Sequence, residues 1–451
     1  MQRQLAIKII VIALIGIMIL IPTSMVRYKV YERQGYLQQA RAAVAESWTR
    51  PQTVMTPLLI IPYQAVTVDL SSDTNSRTSN RQTKKYALLL PDTMHADIEV
   101  SNNKIYKGIY EVPVFNSTLA VSGVFSPTRI QQRIDDVKQA AGFISIGTPF
   151  LSVHIADVRG IERAPNITVN NLGAIVNTGS GYGALSNGLH AELPTAVTLD
   201  TALNFSFSLA LLGMGSLSFV QLADAATTNM HSDWPHPEFI GASLPVQRDI
   251  SAAGFNAQWS ATRYANNNIG LLERCVNAGV CNELLASASG VNFIEPVNVY
   301  LQSERSIKYA MLFVGLSFIT FFIFEHMRQV RIHPIQYAFV GLAIAVFYLL
   351  LISLAEHIAF RWAYAIAVLC CTSLLLFYVR YMLRSLRSAL VFSSMILALY
   401  GLLYVIVQAE DFALLMGSLL VFGVLAALMV VTRKIDWYNL TEAGPTVPDE
   451  P

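Results

Sequence analysis

The chain has 451 residues, of which 14% are charged and 53% hydrophobic, with 31 Lys and Arg against 30 Asp and Glu. Soluble proteins carry about 25% charged residues, so a mean hydropathy of +0.45 requires membrane-spanning segments. The near-neutral balance excludes the concentrated basic surface of a nucleic-acid binder, and so apolar a composition excludes a disordered chain or a disulfide-dense secreted module.

In chain order, Leu5 to Met25 is apolar apart from Lys8, and its 21 residues suffice to cross a hydrocarbon core that needs about 20. The run ends in Ile-Pro-Thr-Ser-Met without a small-x-small cleavage pattern, so it reads as an uncleaved anchor rather than a signal peptide. Tyr31 to Trp48, rich in Ala, Gln, Glu and Arg, continues it as an amphipathic helix (31–48). After that the periodicity changes to two. In Leu203–Leu211 every odd residue is apolar, which is the pattern of a half-buried strand. Val66–Leu70, Ala96–Val100, Ile105–Phe115 and Leu119–Phe125 have similar β-branched and aromatic character, with Ser101-Asn102-Asn103 as a turn. Ser71–Lys85 and Asn171–Gly188 read as loops.

From Arg305 onward the character is apolar again. Tyr309–Phe324, Ile335–Ala355, Phe360–Val379, Leu390–Val407 and Phe412–Val431 each have spanning length, giving six spans with the first. Arg3, Lys8, Arg328, Arg331, Arg380, Arg384, Arg387, Arg433 and Lys434 all fall on one side of that arrangement. Basic residues in short loops resist translocation, so both termini are expected in the cytoplasm and residues 26–304 outside. The expected fold is therefore an α-helical six-span transmembrane region with a large, mostly-β external domain inserted after the first span. Its parts are a first transmembrane helix (1–25), the β domain (26–304), a five-helix bundle (305–433) and a cytoplasmic tail (434–451).

Catalytic signatures are absent: no HExxH, GxxxxGK[S/T] or GxSxG motif occurs, and Gly179-Ser-Gly-Tyr-Gly183 lacks dinucleotide-fingerprint spacing. No cofactor and no metal are expected. His231, Asp233, Trp234 and His236 form a proline-braced turn that reads as packing or a binding turn, with metal ligation the minor alternative. Glu325, His326 and His333 lie about 30 Å of helix away from Glu356 and His357, so the two groups cannot form one site. The middle thirds of the spans lack ionisable residues, which counts against a proton-driven carrier but leaves apolar substrates open. Cys275 and Cys281 enclose a short Gly-containing loop outside the membrane and are expected to form a disulfide. Cys370 and Cys371 lie in a span and read as small packing residues. Glu356, His357 and Arg361 share a tight outer turn, where an ion pair between Glu356 and Arg361 is the expected contact and His357 is expected to face the region of Glu295–Tyr300.

EPVNVYLQSERSIKYAMLFVGLSFITFFIFE (295–325) and HPIQYAFVGLAIAVFYLLLISLAEHIAF (333–360) resemble the CreD family of Gram-negative inner-membrane proteins, also described as colicin-tolerance or envelope-integrity proteins. KGIYEVPVF (107–115), SDWPHPEFIG (232–241) and GFNAQW (254–259) are similar too. Two positions depart from that pattern: Lys107 stands in place of an expected arginine and Asn298 in place of an expected aspartate, which removes a bidentate guanidinium and a carboxylate from those positions. The resemblance implies a bacterial inner-membrane protein with a periplasmic domain, linked to envelope integrity and cell-wall stress under two-component control. It implies no known reaction. The leading expectation is a non-enzymatic protein that couples the β domain to the bundle, with membrane lipids and an unidentified envelope protein or lipid as partners. A flippase-like handler of an apolar envelope compound and an envelope-modifying enzyme are the alternatives.

Overall fold

An apolar helix satisfies every backbone group internally, which is the condition for crossing hydrocarbon. In the computed structural model, which describes residues 2–68, 80–264, 268–293, 299–328, 332–383, 385–408 and 413–432, the first such helix is α1, Gln2–Ser47. Pro22 removes one backbone donor inside it. The next two hydroxyls turn back onto the helix: Thr23 Oγ1 donates to the Ile19 carbonyl and Ser24 Oγ to that of Ile21.

The chain divides into two compact units, one of Met1–Gln38 with Val297–Pro451 and the other of Gln39–Pro296. These units meet at residues 38 and 296, whereas the expected domain borders stand at 25 and 304. The reason is local: Tyr31 and Gln34 of α1 bond to Glu304, so these residues pack with the helical unit.

Among the described residues the second unit holds three sheets. In the largest, strands run in the order Gln247–Ser251, Gly254–Thr262, Ala225–Ser232, Thr93–Lys107, Tyr110–Phe125, Leu203–Met214, Asn166–Val169 and Leu172–Gly173. A six-stranded sheet is centred on Leu58–Val68, and a four-stranded one pairs Gln52–Met55, Ser216–Val220, Ser289–Phe293 and Pro237–Gly241. The inward side chains of all three merge into one core in which Phe115, Phe125, Phe255 and Trp259 are fully buried. Three short helices complete the unit: α2, Pro127–Lys138; α3, Asn268–Ala278; and α4, Asn282–Ala286. Cys275 of α3 is disulfide-bonded to Cys281, and both sulfurs lie inside a second, smaller cluster with Leu272 and Leu284.

Two expected loops are in fact built into the sheets. Ser101-Asn102-Asn103 lies within Thr93–Lys107, and the chain reverses instead at Gly108, whose φ of +62° suits a tight turn closed by Lys107 and Tyr110. The stretch 171–188 contains the strands Leu172–Gly173 and Ile175–Thr178. Its first turn is set by Asn170 and Asn171 at φ +49° and +63°, a conformation asparagine tolerates. Of the loop expected at 71–85, residues 71–79 lie outside the described residues, and Asn80–Leu89 is a strand.

The helical unit adds α5, Val299–Lys308; α6, Ala310–Arg328; α7, Pro334–Ala355; α8, Phe360–Leu383; α9, Leu386–Gln408; and α10, Ala413–Thr432. Among the described residues α1, α7, α8 and α9 are long and apolar enough to cross a membrane, and the pair α5 with α6, bent by 46°, makes a fifth candidate. Helix α10 is twenty residues without a charge. The sequence reading starts the second span at Tyr309, next to the start of α6, but a separate helix, α5, precedes it from Val299. Glu304, Arg305 and Lys308 mask this in a hydropathy profile, while Tyr300, Ser303, Ser306 and Ile307 are buried.

The C-terminal turns of α1 are welded into the β unit. Val44 packs on Val112 and Val114, with Trp48 beside them. Arg159 Nη1 donates to the Glu46 carbonyl at 2.7 Å and Nη2 to that of Ala45 at 3.1 Å, so a cation caps the negative end of the helix. Asp157 holds that guanidinium, also accepting from the Arg50 amide, and Gln52 Nε2 bridges the Asp157 and Leu212 carbonyls. The hydrogen bond from Arg159 holds the Asp157 carboxyl down at about 2, below its ordinary 3.8. A depressed carboxyl contributes stability above its unfolded value and loses it as pH falls through the folded one. Pulsed hydrogen exchange of the peptide 40–50 should therefore be constant from pH 7 to about 4, corrected for intrinsic rates, and then speed up several-fold towards pH 2. Asp157→Asn should exchange at the faster rate at every pH.

Candidate functional site

The chemistry-bearing side chains of the helical unit lie along α1. At the end near Lys8, the one charge in the first apolar run meets the one acid of α6. Lys8 Nζ donates to Glu325 Oε1, the Tyr337 hydroxyl donates to Oε2 at 2.7 Å, and the Ile332 amide donates to Oε1 at 3.1 Å. Glu325 is 9% exposed and fully supplied with donors. A carboxylate so saturated is a structural tie rather than an acid or base. The sequence signal for this tie is the pair of lone opposite charges in otherwise apolar segments. His333, next to it, caps α7 by accepting from the Ile335 amide while Gln336 returns to the His333 amide.

Further along α1, Arg33 Nε lies 3.1 Å from Glu356 Oε1, in ion-pair range without the alignment of a hydrogen bond. Glu356 is the C-cap of α7, and its side chain is 9% exposed. The expected partner, Arg361, instead lies 5.7 Å from the Trp362 ring on the exposed side of α8. The turn thus brings Glu356, His357 and Arg361 close in sequence but does not pair them, because the buried carboxylate finds its cation on α1. His357 is exposed, with its amide bonded to the Leu354 carbonyl. Glu295, towards which it was expected to face, lies outside the described residues, as do Arg331, Arg384, Glu410, Asp411, Arg433 and Lys434. One helical turn before Lys308, Glu304 accepts from Gln34 Nε2 and pairs with Lys308 at 3.2 Å. Two acids, Glu304 and Glu356, therefore grip residues 31–34 of α1.

The bundle interior carries weaker polar groups. The Tyr364 hydroxyl donates to the Tyr400 carbonyl at 2.6 Å, and Cys371 Sγ lies 3.1 Å from the Tyr400 hydroxyl, while Cys370 faces outward. These bonds fix helix faces in a medium offering no water. Apolar grooves of about 400 Å³ and 500 Å³ flank α1, the first floored by Gly16 and Gly315, the second by Pro22, Val26 and Ala345.

In the β unit the candidate turn is a latch. Asp233 accepts from the Asn102 amide and its Nδ2, and Trp234 Nε1 donates to the His236 carbonyl. His231 Nδ1 lies 2.6 Å from Asn256 Oδ1 on an adjacent strand, so it does not converge with His236. Among the described residues no group of three His, Cys, Asp or Glu is placed to hold a metal.

The tie at Lys8 makes a quantitative forecast. In a double-mutant cycle of Lys8→Met and Glu325→Gln, read by thermal unfolding in detergent, each single change should destabilise and the pair should couple by about 1–3 kcal/mol. Additive effects would mean that the contact contributes nothing.

Comparison with known proteins agrees with this architecture. The family model described as inner membrane protein CreD matches residues 4–438. The inner membrane protein CreD of Escherichia coli K12 is 32% identical over 422 residues, covering 94% of this chain and 91% of that protein. With a family match over nearly its whole length, the chain, which has both apolar helices and a large β unit, belongs to the CreD family of inner-membrane proteins.

Proposed function

We propose that this protein maintains the cell envelope without catalysing a reaction, by coupling a periplasmic β domain mechanically to a six-span membrane bundle with both termini in the cytoplasm. The observation that carries this reading is α1. Its apolar part is tied to α6 and α7 through Lys8 and Arg33, and its last turns are capped by Arg159 within the β unit. An uninterrupted helix transmits axial and torsional displacement, whereas a flexible linker does not. The ties use the ionisable groups structurally, which favours coupling over catalysis. The sixth span is α10, and the basic residues named above keep the termini inside.

The second reading, a handler of lipid or another apolar envelope compound, is favoured by the grooves beside α1, whose walls are almost wholly apolar.

Two measurements check the coupling and a third the orientation. A Gly-Ser-Gly insertion after Gln38, at the border of the units, should abolish complementation of an envelope-stress phenotype at unchanged abundance, while the same insertion after Asn171 should not. Arg33→Glu should lose complementation and the double variant Arg33→Glu, Glu356→Arg should regain it. Reporter fusions after Pro451 should give a cytoplasmic signal. Full complementation by the Gln38 insertion would refute coupling; a lipid retained through purification and lost on Gly16→Trp would favour the second reading.

A further inference from the structure

The eight-stranded sheet turns one face to the core, and the other is unusual for a surface exposed to water. Side chains alternate along each strand, so the pairing registers align the outward residues in rows across the sheet. One row runs Asp249, Asn256, His231, Glu99 and continues to Thr118. The next runs Gln247, Gln258, Asn229, Asp97 and continues to Ala120 and Ser208. Solvent-facing strands commonly carry lysine and arginine, which guard edges and keep the surface soluble. These rows contain neither; they are amides, carboxylates, imidazole, hydroxyls and methyls.

The first four residues of each row line an open groove of about 660 Å³, and Arg248 also lines it. Beyond Asp97 and Glu99 the two rows continue in register to the small residues Thr118, Ala120 and Ser208. The groove's side chains are held in order. Gln258 Nε2 donates to Asn229 Oδ1 at 2.9 Å, Asn229 Nδ2 donates to Asp97 Oδ1 at 2.9 Å, and His95 Nε2 lies 3.1 Å from Asp97 Oδ2. In the adjacent row His231 Nδ1 meets Asn256 Oδ1. An amide has two N–H donors and a carbonyl with two lone pairs, so each amide here spends only part of its capacity on its neighbour.

We propose that this groove binds a neutral saccharide chain. A polyol presents hydroxyls that donate and accept at once, and the amides and carboxylates side by side in these rows supply both functions at strand spacing. Four strands offer three spacings, roughly 14 Å, the reach of a short oligosaccharide. Asp97, Glu99 and Asp249 oppose Arg248 alone, which disfavours phosphorylated or carboxylated ligands. The carboxylates do not converge on one point, and Asp97 is already engaged by Asn229 and His95, which argues against a cation as the occupant. The inference goes beyond the coupling reading and does not rest on it, since a saccharide titration is blind to whether α1 transmits displacement.

The test uses the full chain in detergent. Chitotetraose and cellotetraose, the N-acetylated and the plain neutral tetrasaccharides, are titrated by calorimetry and by ligand-observed NMR, with tetralysine and calcium chloride as competing probes. At least one saccharide should bind, with the affinity falling fivefold or more in Asn229→Ala and in Asn256→Ala and persisting in EDTA. Ser218→Ala, a change away from this face, should bind as the unaltered protein does. The proposal is overturned if neither saccharide binds, if both variants bind as well as the unaltered chain, or if only tetralysine or calcium gives a signal that the two variants abolish.

Discussion

The backbone of α1 is the constraint on which the rest depends. A chain that leaves hydrocarbon must satisfy its amides and carbonyls at every step, and the least demanding way is to remain helical until side chains can take over. Here the helix persists through Pro22 and Gly35 to Ser47, where Arg159 supplies the donors that its last carbonyls lack. The same helix carries Lys8 and Arg33, each facing a nearly buried carboxylate of the bundle. A buried carboxylate without its cation is strongly destabilising, so Glu325 and Glu356 fix which face of α1 packs against α6 and α7. One helix thus belongs to both units, and its position in each is specified by charge.

Much of the architecture was legible because it follows from solvent and period. Runs such as Ile335–Ala355 announce spans by length, and the alternation in Leu203–Leu211 announces a strand. The differences are of three physical kinds. Pairing across the chain was invisible: Glu356 has Arg361 five residues away, yet its cation comes from Arg33, because burial favours the partner reachable without solvent. Turn residues misled where an edge tolerates them. Ser101-Asn102-Asn103 sits inside a strand because Asp233 anchors Asn102, while the real reversal rests on Gly108. Helix α5 was missed since its charges lie on one side and its buried serines contribute no hydropathy.

The candidate chemistry divides along the same line. In the helical unit the ionisable groups are consumed by ties between helices, and the polar interior around Tyr400 and Cys371 joins α8 to α9. In the β unit the turn at His231–His236 is a latch for Asn102, and only His231 turns to the open sheet face. The residues with unspent hydrogen-bonding capacity therefore lie on that face; Asn256 and Gln258 fall inside the family-like block 254–259, but the site they form with Asn229, Asp97 and Glu99 is made by cross-strand register, on which a motif search has no purchase.

Helical continuity through residue 38 is the central claim, and a distance between spin labels tests it most directly. With Cys370 and Cys371 replaced, labels at Met18→Cys and Ala42→Cys, both exposed positions, are separated by 24 residues, or about 36 Å along an unbroken helix at 1.5 Å per residue. Double electron–electron resonance on the protein in lipid nanodiscs should give a single narrow distribution near that length. A broad distribution, or one centred well below it, would mean that α1 bends or melts between bundle and β domain and cannot couple them.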